Sequence, residues 1–216
     1  LLGSAIGMKV MEDVPYITGM EKWLGTALTD DTCAFLKDFG AATASNGAVG
    51  LYHIEILPPE AKEQGRDLIL ENAKVYVIDD AELERVKNNY PVMWKKPDGK
   101  AKLCFVGCPH MSMEQLIQWT LRVEAGLNAN GKKKVLIPTV FTTAPAVKKA
   151  FDQTEYAKRL EKTGVILSCI CPLMYMNNPL CGSMNVITSS NKLRTYTTAR
   201  YFTEGEILNQ ITKEGK

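Results

Sequence analysis

The sequence predicts an α/β fold in which a parallel sheet lies between two layers of helices, a three-layer α/β/α arrangement. Three observations carry this. Apolar, β-like runs at 102–107, 134–141 and 165–170 alternate with segments of helical periodicity. Strands that alternate with helices read as βαβ units, and such units build parallel sheets covered on both faces. The 216 residues are 45% hydrophobic and 23% charged, an ordinary globular balance with enough apolar side chains to fill a core. That composition excludes a disordered tail, a collagen-like fibre and a simple coiled coil.

The elements follow in order. From Asp31 to Thr43, Phe35, Leu36, Phe39 and Ala42 fall on one helical face, with Asp30 or Asp31 as the N-cap. The helix is expected to stop near Ser45-Asn46-Gly47, with Gly47 in the left-handed conformation. A strand over 48–57 then ends at Pro58-Pro59. VYVID at 75–79 is strand-like, and Asp79, with Glu82 three residues on, opens a short helix. The lysines of 90–100 read as a solvated, turn-rich surface. After the strand at 102–107, Ser112 and Gln115 form a capping box for a helix whose inner face carries Leu116, Ile117, Thr120 and Leu121. Asn130-Gly131 turns into the strand at 134–141. A helix follows Thr143 with Pro145 in its first turn, where a missing N–H does no harm. Another runs from Tyr156 to Lys162 and closes at Gly164, before the strand at 165–170.

With 26 basic and 24 acidic side chains the net charge is +2, too balanced to imply a nucleic-acid or membrane partner. No apolar run approaches the roughly 18–20 residues that span a bilayer. The opening LLGSAIGMKV lacks the pattern of a signal peptide, so a cytoplasmic location is expected. It also lacks a starting methionine, as a fragment, a processed product or a numbering offset would. GxGxxG, Walker, GxSxG and HExxH patterns are absent, which counts against nucleotide-dependent enzymes, α/β-hydrolases and zincins.

The six cysteines are Cys33, Cys104, Cys108, Cys169, Cys171 and Cys181. Without a secretion signal they do not read as a disulfide framework. Cys104 and Cys169 sit within strands and read as small buried residues. Cys108 and Cys171 each precede a proline just past a strand, at the edge where parallel sheets bind ligands. There a thiol is free to bind metal or to react, although the spacing is no zinc signature. A thiol-redox pair of Cys169 and Cys171 is an alternative, with the wrong spacing for a CxxC motif. His53, inside an apolar strand, reads as a satisfied rim histidine. His110 follows Cys108 in a loop and suits a base, a cluster neighbour or a hydrogen bonder to substrate. In VITSSNKLRTY (186–196), Ser189, Ser190, Lys192 and Arg194 suit an anionic ligand, and a plain polar loop is the alternative.

Several segments taken together resemble one family, aconitase X. They are 36–61, 105–116, the strand ending in CICP (169–172) and ITSSNK…Y (187–196), in the family's order. GCPH followed by Ser112 is the most specific match. Ser45-Asn46-Gly47-Ala48-Val49 resembles the family's SSGAV stretch, with Asn46 in place of a serine. Ser189-Ser190-Asn191-Lys192 resembles its NSxK motif. The resemblance implies an aconitase-like fold and a hydro-lyase that dehydrates a small hydroxy acid with an iron–sulfur cluster, 4Fe–4S or 2Fe–2S. By resemblance Cys108 and Cys171 are two of three cluster ligands. Nothing here resembles the stretch that carries the third, which is therefore expected outside this chain. Lys192, Ser190 and His110 are the implied catalytic residues, and Ser45, Asn46, Gly47, Ser189 and Arg194 the implied substrate contacts. Arg194 and Arg200 add cations suited to a phosphorylated or dicarboxylic acid.

The resemblance covers only the carboxyl-terminal half of the family's catalytic region. Residues 1–65 form a helix-plus-strand segment shared with the amino-terminal half, and 66–216 an α/β subdomain. The implied partners are that amino-terminal half and a small swivel domain or subunit. Between the family's substrates, cis-3-hydroxy-L-proline is preferred here. A mevalonate 5-phosphate dehydratase large subunit is the alternative, and a split or degenerate binding subunit is the non-enzymatic one.

Overall fold

Two glycines let the amino-terminal helix lie against its neighbour almost backbone to backbone. α1 (Leu2–Val10) is followed by the strand β1 (Tyr16–Ile17), the single turn α2 (Glu21–Leu24) and the long helix α3 (Asp30–Asn46). A Cβ at Gly3 would stand 2.6 Å from the carbonyl oxygen of Phe39, and one at Gly7 would stand 2.5 Å from that of Thr43. The chain folds as two units, Leu1–Tyr90 and the residues from Pro91 onward, and the computed structural model describes residues 1–213. The division expected at 65/66 falls inside the first unit.

Several local expectations for the first unit are corrected. Thr29, not Asp30 or Asp31, caps α3: its hydroxyl accepts from the N–H of Thr32 at 3.2 Å. The two aspartates occupy the first turn, where they favour the positive end of the helix dipole. Gly47 ends α3 with φ −151°, in extended backbone rather than the left-handed region. It is glycine because a Cβ there would lie 2.2 Å from the carbonyl oxygen of Gly7. The strand over 48–57 shrinks to β2 (His53–Ile54), which pairs in parallel with β1. Ile56, at φ 65°, turns the chain away from the ladder before Pro58. α4 (Pro59–Gln64) and a 3₁₀ turn (Gly65–Leu68) follow. Residues 75–79 form no strand among the described residues, and Val75 and Val77 stay 90% and 74% exposed. Asp79 caps α5 (Asp80–Asn88) as expected, accepting from the N–H of Glu82 at 2.9 Å.

The second unit runs β3 (Leu103–Met111), α6 (Met113–Ala129), β4 (Thr139–Thr143), α7 (Pro145–Phe151), α8 (Glu155–Lys162) and β5 (Ile166–Ser168). It continues through α9 (Pro172–Met176), α10 (Pro179–Gly182), β6 (Val186–Thr188), α11 (Asn191–Tyr196), β7 (Arg200–Tyr201) and α12 (Glu204–Thr212). The five strands lie in the order β5-β4-β3-β6-β7, and every pairing is parallel. Alternate residues of the central strand bury on opposite faces, as a covered parallel sheet demands. Cys104 and Val106 pack with α6, α7, α8 and α12 through Leu116, Phe151, Leu160 and Ile207. Leu103 and Phe105 pack with α9 and α11 through Met176 and Leu193. The three-layer α/β/α fold is thus present.

Details depart from the expected pattern for physical reasons. The Ser112–Gln115 capping box forms, but the inner face of α6 is Leu116, Trp119, Thr120, Val123 and Leu127. Leu121 points outward at 40% exposure, and Ile117 is only partly buried. β4 begins after Pro138, which has no N–H to give a ladder. Gly164, at φ 82°, closes the turn after α8 as expected.

Two predictions follow from the first unit. Gly47→Ala is expected to lower stability by about 1–3 kcal/mol, as overpacking does, measured by thermal or urea unfolding. The second concerns Glu82, whose carboxylate accepts from Arg85 Nε and Nη2, both at 2.6 Å, and from the Tyr76 hydroxyl. These bonds, Arg85's first, hold its pKa down from 4.5 to about 2. A depressed carboxyl stabilises the fold above its unfolded value and loses that contribution as pH falls towards about 2. Acid unfolding of Glu82→Gln is therefore expected to show a shallower loss of stability between pH 4.5 and about 2 than wild type.

Candidate active-site edge of the parallel sheet

From β3 the chain builds outward through β4 to β5, then returns to the other side of β3 for β6 and β7. The strand order therefore reverses between β3 and β6, and open α/β sheets bind ligands beyond the carboxyl ends of the strands at such a point. The carboxyl end of β3 is Gly107-Cys108-Pro109-His110, and that of β6 leads into Ser189-Ser190.

At this point β3 bulges. Val106 pairs with Phe141 and Met111 with Thr143, so β3 takes five steps while β4 takes two. Gly107 makes the departure at φ 106°, and a Cβ there would stand 2.3 Å from the carbonyl oxygen of Thr142. Three carbonyls along the bulged strand are each met by a side-chain hydroxyl. Thr142 Oγ1 donates to the carbonyl of Gly107 at 2.5 Å, Thr143 Oγ1 to that of Met111 at 2.7 Å, and Ser190 Oγ to that of Cys108. The Cys108–Pro109 peptide is cis. Cys108 is 8% exposed and packs in the cluster of Phe105, Met176 and Leu193. His110 is half-buried on the same bulge.

The segment 186–196 is not a loop but a strand, a turn and a helix. Ser190 caps α11, accepting from the N–H of Leu193 at 3.0 Å, while its own N–H donates to Thr188 Oγ1 at 3.1 Å. Asn191 is buried, and Ser189, Lys192 and Arg194 are half-buried. Lys192 has no ion-pair partner among the described residues. The structure thus joins Cys108 to Ser190 directly, with His110 on the same bulge and Ser189, Lys192 and Arg194 on the adjoining turn and helix.

Cys171 heads α9, beyond β5, and is half-buried. Tyr175 on that helix stacks on Phe105 with ring centroids 5.3 Å apart, which holds α9 across the central strand. No thiol is in a disulfide. Cys104 is buried as expected, and burial pushes its thiol pKa well up, whereas Cys169 is only half-buried. Among the described residues no group of three His, Cys, Asp or Glu side chains is arranged to hold a metal ion.

Ser45, Asn46 and Gly47 belong to the first unit, and their local contacts are structural. Ser45 Oγ donates to the carbonyl of Ala42 at 3.3 Å, and Asn46 Nδ2 to the same carbonyl at 2.9 Å. Asn46 Oδ1 accepts from Ser4 Oγ at 2.9 Å, which ties α1 to α3. His53 is the satisfied histidine expected, its Nδ1 3.1 Å from Glu60 Oε1. Sequence reasoning missed Thr142 and Thr143, whose only signal is a hydroxyl pair closing an apolar strand, and it singled out no role for Asn191.

Family models match both units: the aconitase X second domain over residues 1–88 and the aconitase X third domain over 101–208. Curated relatives include the phosphomevalonate dehydratase large subunit of Thermococcus kodakarensis, 27% identical over 91% of this chain and 45% of its own length. That of Methanothermobacter thermautotrophicus is 29% identical over 79% of this chain and 37% of its own. The chain therefore spans less than half the length of these relatives. The solved structure of Thermococcus kodakaraensis aconitase X in its holo form matches with a TM-score of 0.74 at 23% identity, over 97% of this chain and 50% of that one. The two share a fold.

Ser190→Ala is expected to lower stability. It removes an N-cap, worth about 0.5–2 kcal/mol, and the hydrogen bond to the Cys108 carbonyl, worth about 0.5–1.5 kcal/mol more. Thermal unfolding measures this, with Ser190→Thr, which keeps a capping hydroxyl, expected to retain most of the wild-type stability. A wild-type melting temperature in Ser190→Ala would show that the bond to Cys108 contributes nothing.

Proposed function

This chain belongs to the aconitase X family, and from that premise we propose that it forms part of the catalytic large subunit of a dehydratase acting on a small hydroxy acid. The observation that carries the proposal is the bulge at the switch point, where Cys108 is held beside the Ser190 turn. The relatives are named as phosphomevalonate dehydratase large subunits, so mevalonate 5-phosphate replaces cis-3-hydroxy-L-proline as the preferred substrate. The half-buried Lys192 and Arg194 support that order, since carboxylate and phosphate both seek charged donors.

The donor chemistry of the edge fits an iron–sulfur cluster in part. Cys108, on the bulged carboxyl end of β3, and Cys171, beyond β5, are outside any disulfide and would supply two ligands. The third would come from outside this chain. Held there with one iron lacking a protein ligand, such a cluster would supply a Lewis acid for the leaving hydroxyl. Lys192 binds the anionic end of the substrate. His110 moves a proton at the reacting carbon or at the departing hydroxyl. Ser190 is a positioning residue, because its hydroxyl is already spent on Cys108 and Leu193. The remaining part of the large subunit and a small subunit complete the enzyme. No described helix is long and apolar enough to cross a membrane, and we assign the enzyme to the cytoplasm. The second reading is a split or degenerate subunit that binds without chemistry.

The test is iron and sulfide analysis of the complete, anaerobically prepared enzyme, with turnover of both candidate acids. Cys108→Ser and Cys171→Ser are each expected to cut bound iron sharply and to abolish dehydration of mevalonate 5-phosphate. Full activity and iron content in Cys108→Ser would overturn the assignment. Faster turnover of cis-3-hydroxy-L-proline would reverse the substrate order. Wild-type enzyme with neither cluster nor turnover would favour the binding subunit.

A further inference from the structure

We infer that Asn191 is the receptor for the ligand's hydroxyl group, a role that rests on reading this edge as a hydroxy-acid site. Asn191 is 6% exposed, and its side-chain oxygen Oδ1 is buried with no hydrogen-bond partner. A buried acceptor left unpaired is costly, and most buried polar groups in proteins have a partner.

The main-chain N–H groups around it, and the Thr195 hydroxyl, are committed elsewhere. The N–H of Ser190 goes to Thr188 Oγ1, that of Leu193 to Ser190 Oγ at 3.0 Å, and that of Arg194 to the carbonyl of Ser190 at 3.1 Å. The Thr195 hydroxyl goes to the main-chain carbonyl of Asn191 at 2.8 Å. Leu193, two residues on, is fully buried and holds the helix that carries Asn191 to the sheet.

An amide oxygen only accepts hydrogen bonds. It therefore disfavours the carboxylate or phosphate end of an anionic ligand and takes an O–H. Lys192, the next residue, carries the opposite preference. Carried on one turn of α11, an acceptor and a cation can take the hydroxyl and the anionic end of a hydroxy acid separately. A site built to pair a hydroxyl discriminates strongly against the analogue that lacks it, because that analogue leaves the acceptor bare.

The experiment measures dissociation constants on the complete enzyme for two pairs of acids: mevalonate 5-phosphate with its 3-deoxy analogue, and cis-3-hydroxy-L-proline with L-proline. In wild type the hydroxylated member of at least one pair is expected to bind about tenfold or more tighter. In Asn191→Leu, similar in size but unable to accept, that ratio is expected to fall to near one, with iron content unchanged. Asn191→Ala is read the same way should the leucine variant not fold. A ratio unchanged in the variants, the result if a trapped water satisfies the oxygen, overturns the inference, as does a wild type that does not discriminate. Loss of the ratio in the variants of an enzyme that turns over neither acid would leave the receptor standing and overturn the dehydratase reading alone.

Discussion

Across Gly107–His110 the backbone of β3 cannot pair with β4, and side-chain hydroxyls take over part of that pairing. A buried carbonyl without a donor is costly, and a bulge in a central strand creates several at once. Thr142 and Thr143 supply two donors from β4, and Ser190 supplies one from the turn after β6. The arrangement explains why the bulge sits between these two strands and why its first residue is glycine. It also makes the geometry around Cys108 depend on the packing of the second unit. Ser190 reaches Cys108 only because Val186 and Ile187 are fully buried in β6 and Leu193 anchors α11. Groups carried on elements fixed in this way hold their geometry better than groups on free loops.

What the sequence made legible divides along a physical line. Features set by neighbours in sequence were readable: the Ser112–Gln115 box, the Asp79 cap, Pro145 in a first turn, the alternation of β3, α6 and β4. Features set by partners distant in sequence were not. VYVID has the composition of a strand, yet no strand lies beside it among the described residues, and β-propensity reports fitness for a sheet rather than the presence of one. The same holds for 48–57, where a two-residue pairing is all that β1 provides. Gly47 was marked correctly as a special position, but the reason is the closeness of α1, which no local pattern contains. On α6, Trp119 rather than Leu121 faces the sheet, because the helix is rotated to lay its ring edge-on against Phe141.

The candidate site shows the same division. Cys108 and His110 were visible because a strand end is a local signal and parallel sheets expose such ends. Ser190 was visible as a hydroxyl in a polar run, but its task was not. It reads alone as a substrate contact, and in the fold it is a clamp on the backbone that carries Cys108. Thr142 and Thr143 were invisible for the complementary reason: β-branched residues in an apolar run read as strand, and nothing in sequence says that a hydroxyl is needed 32 or 35 residues back along the chain. Asn46 is the reverse case. Its match to the family's stretch suggested substrate, while its amide is spent joining two helices.

The clamp also decides how the polar groups of the edge divide their work. Once the hydroxyls of Thr142, Thr143 and Ser190 are committed to carbonyls, they are poor candidates for holding an anion. The helix beside them carries the Lys192 ammonium and the Asn191 amide oxygen, one a donor and the other an acceptor. A ligand that satisfied both must present an anionic group and a hydroxyl at a fixed separation, the minimal description of a hydroxy acid. A simple dianion would leave Asn191 unpaired, and a neutral alcohol would leave Lys192 unpaired. On the proposed hydroxy-acid reading, selectivity at this edge comes from what its structural hydrogen bonds have already used up as much as from the residues that remain.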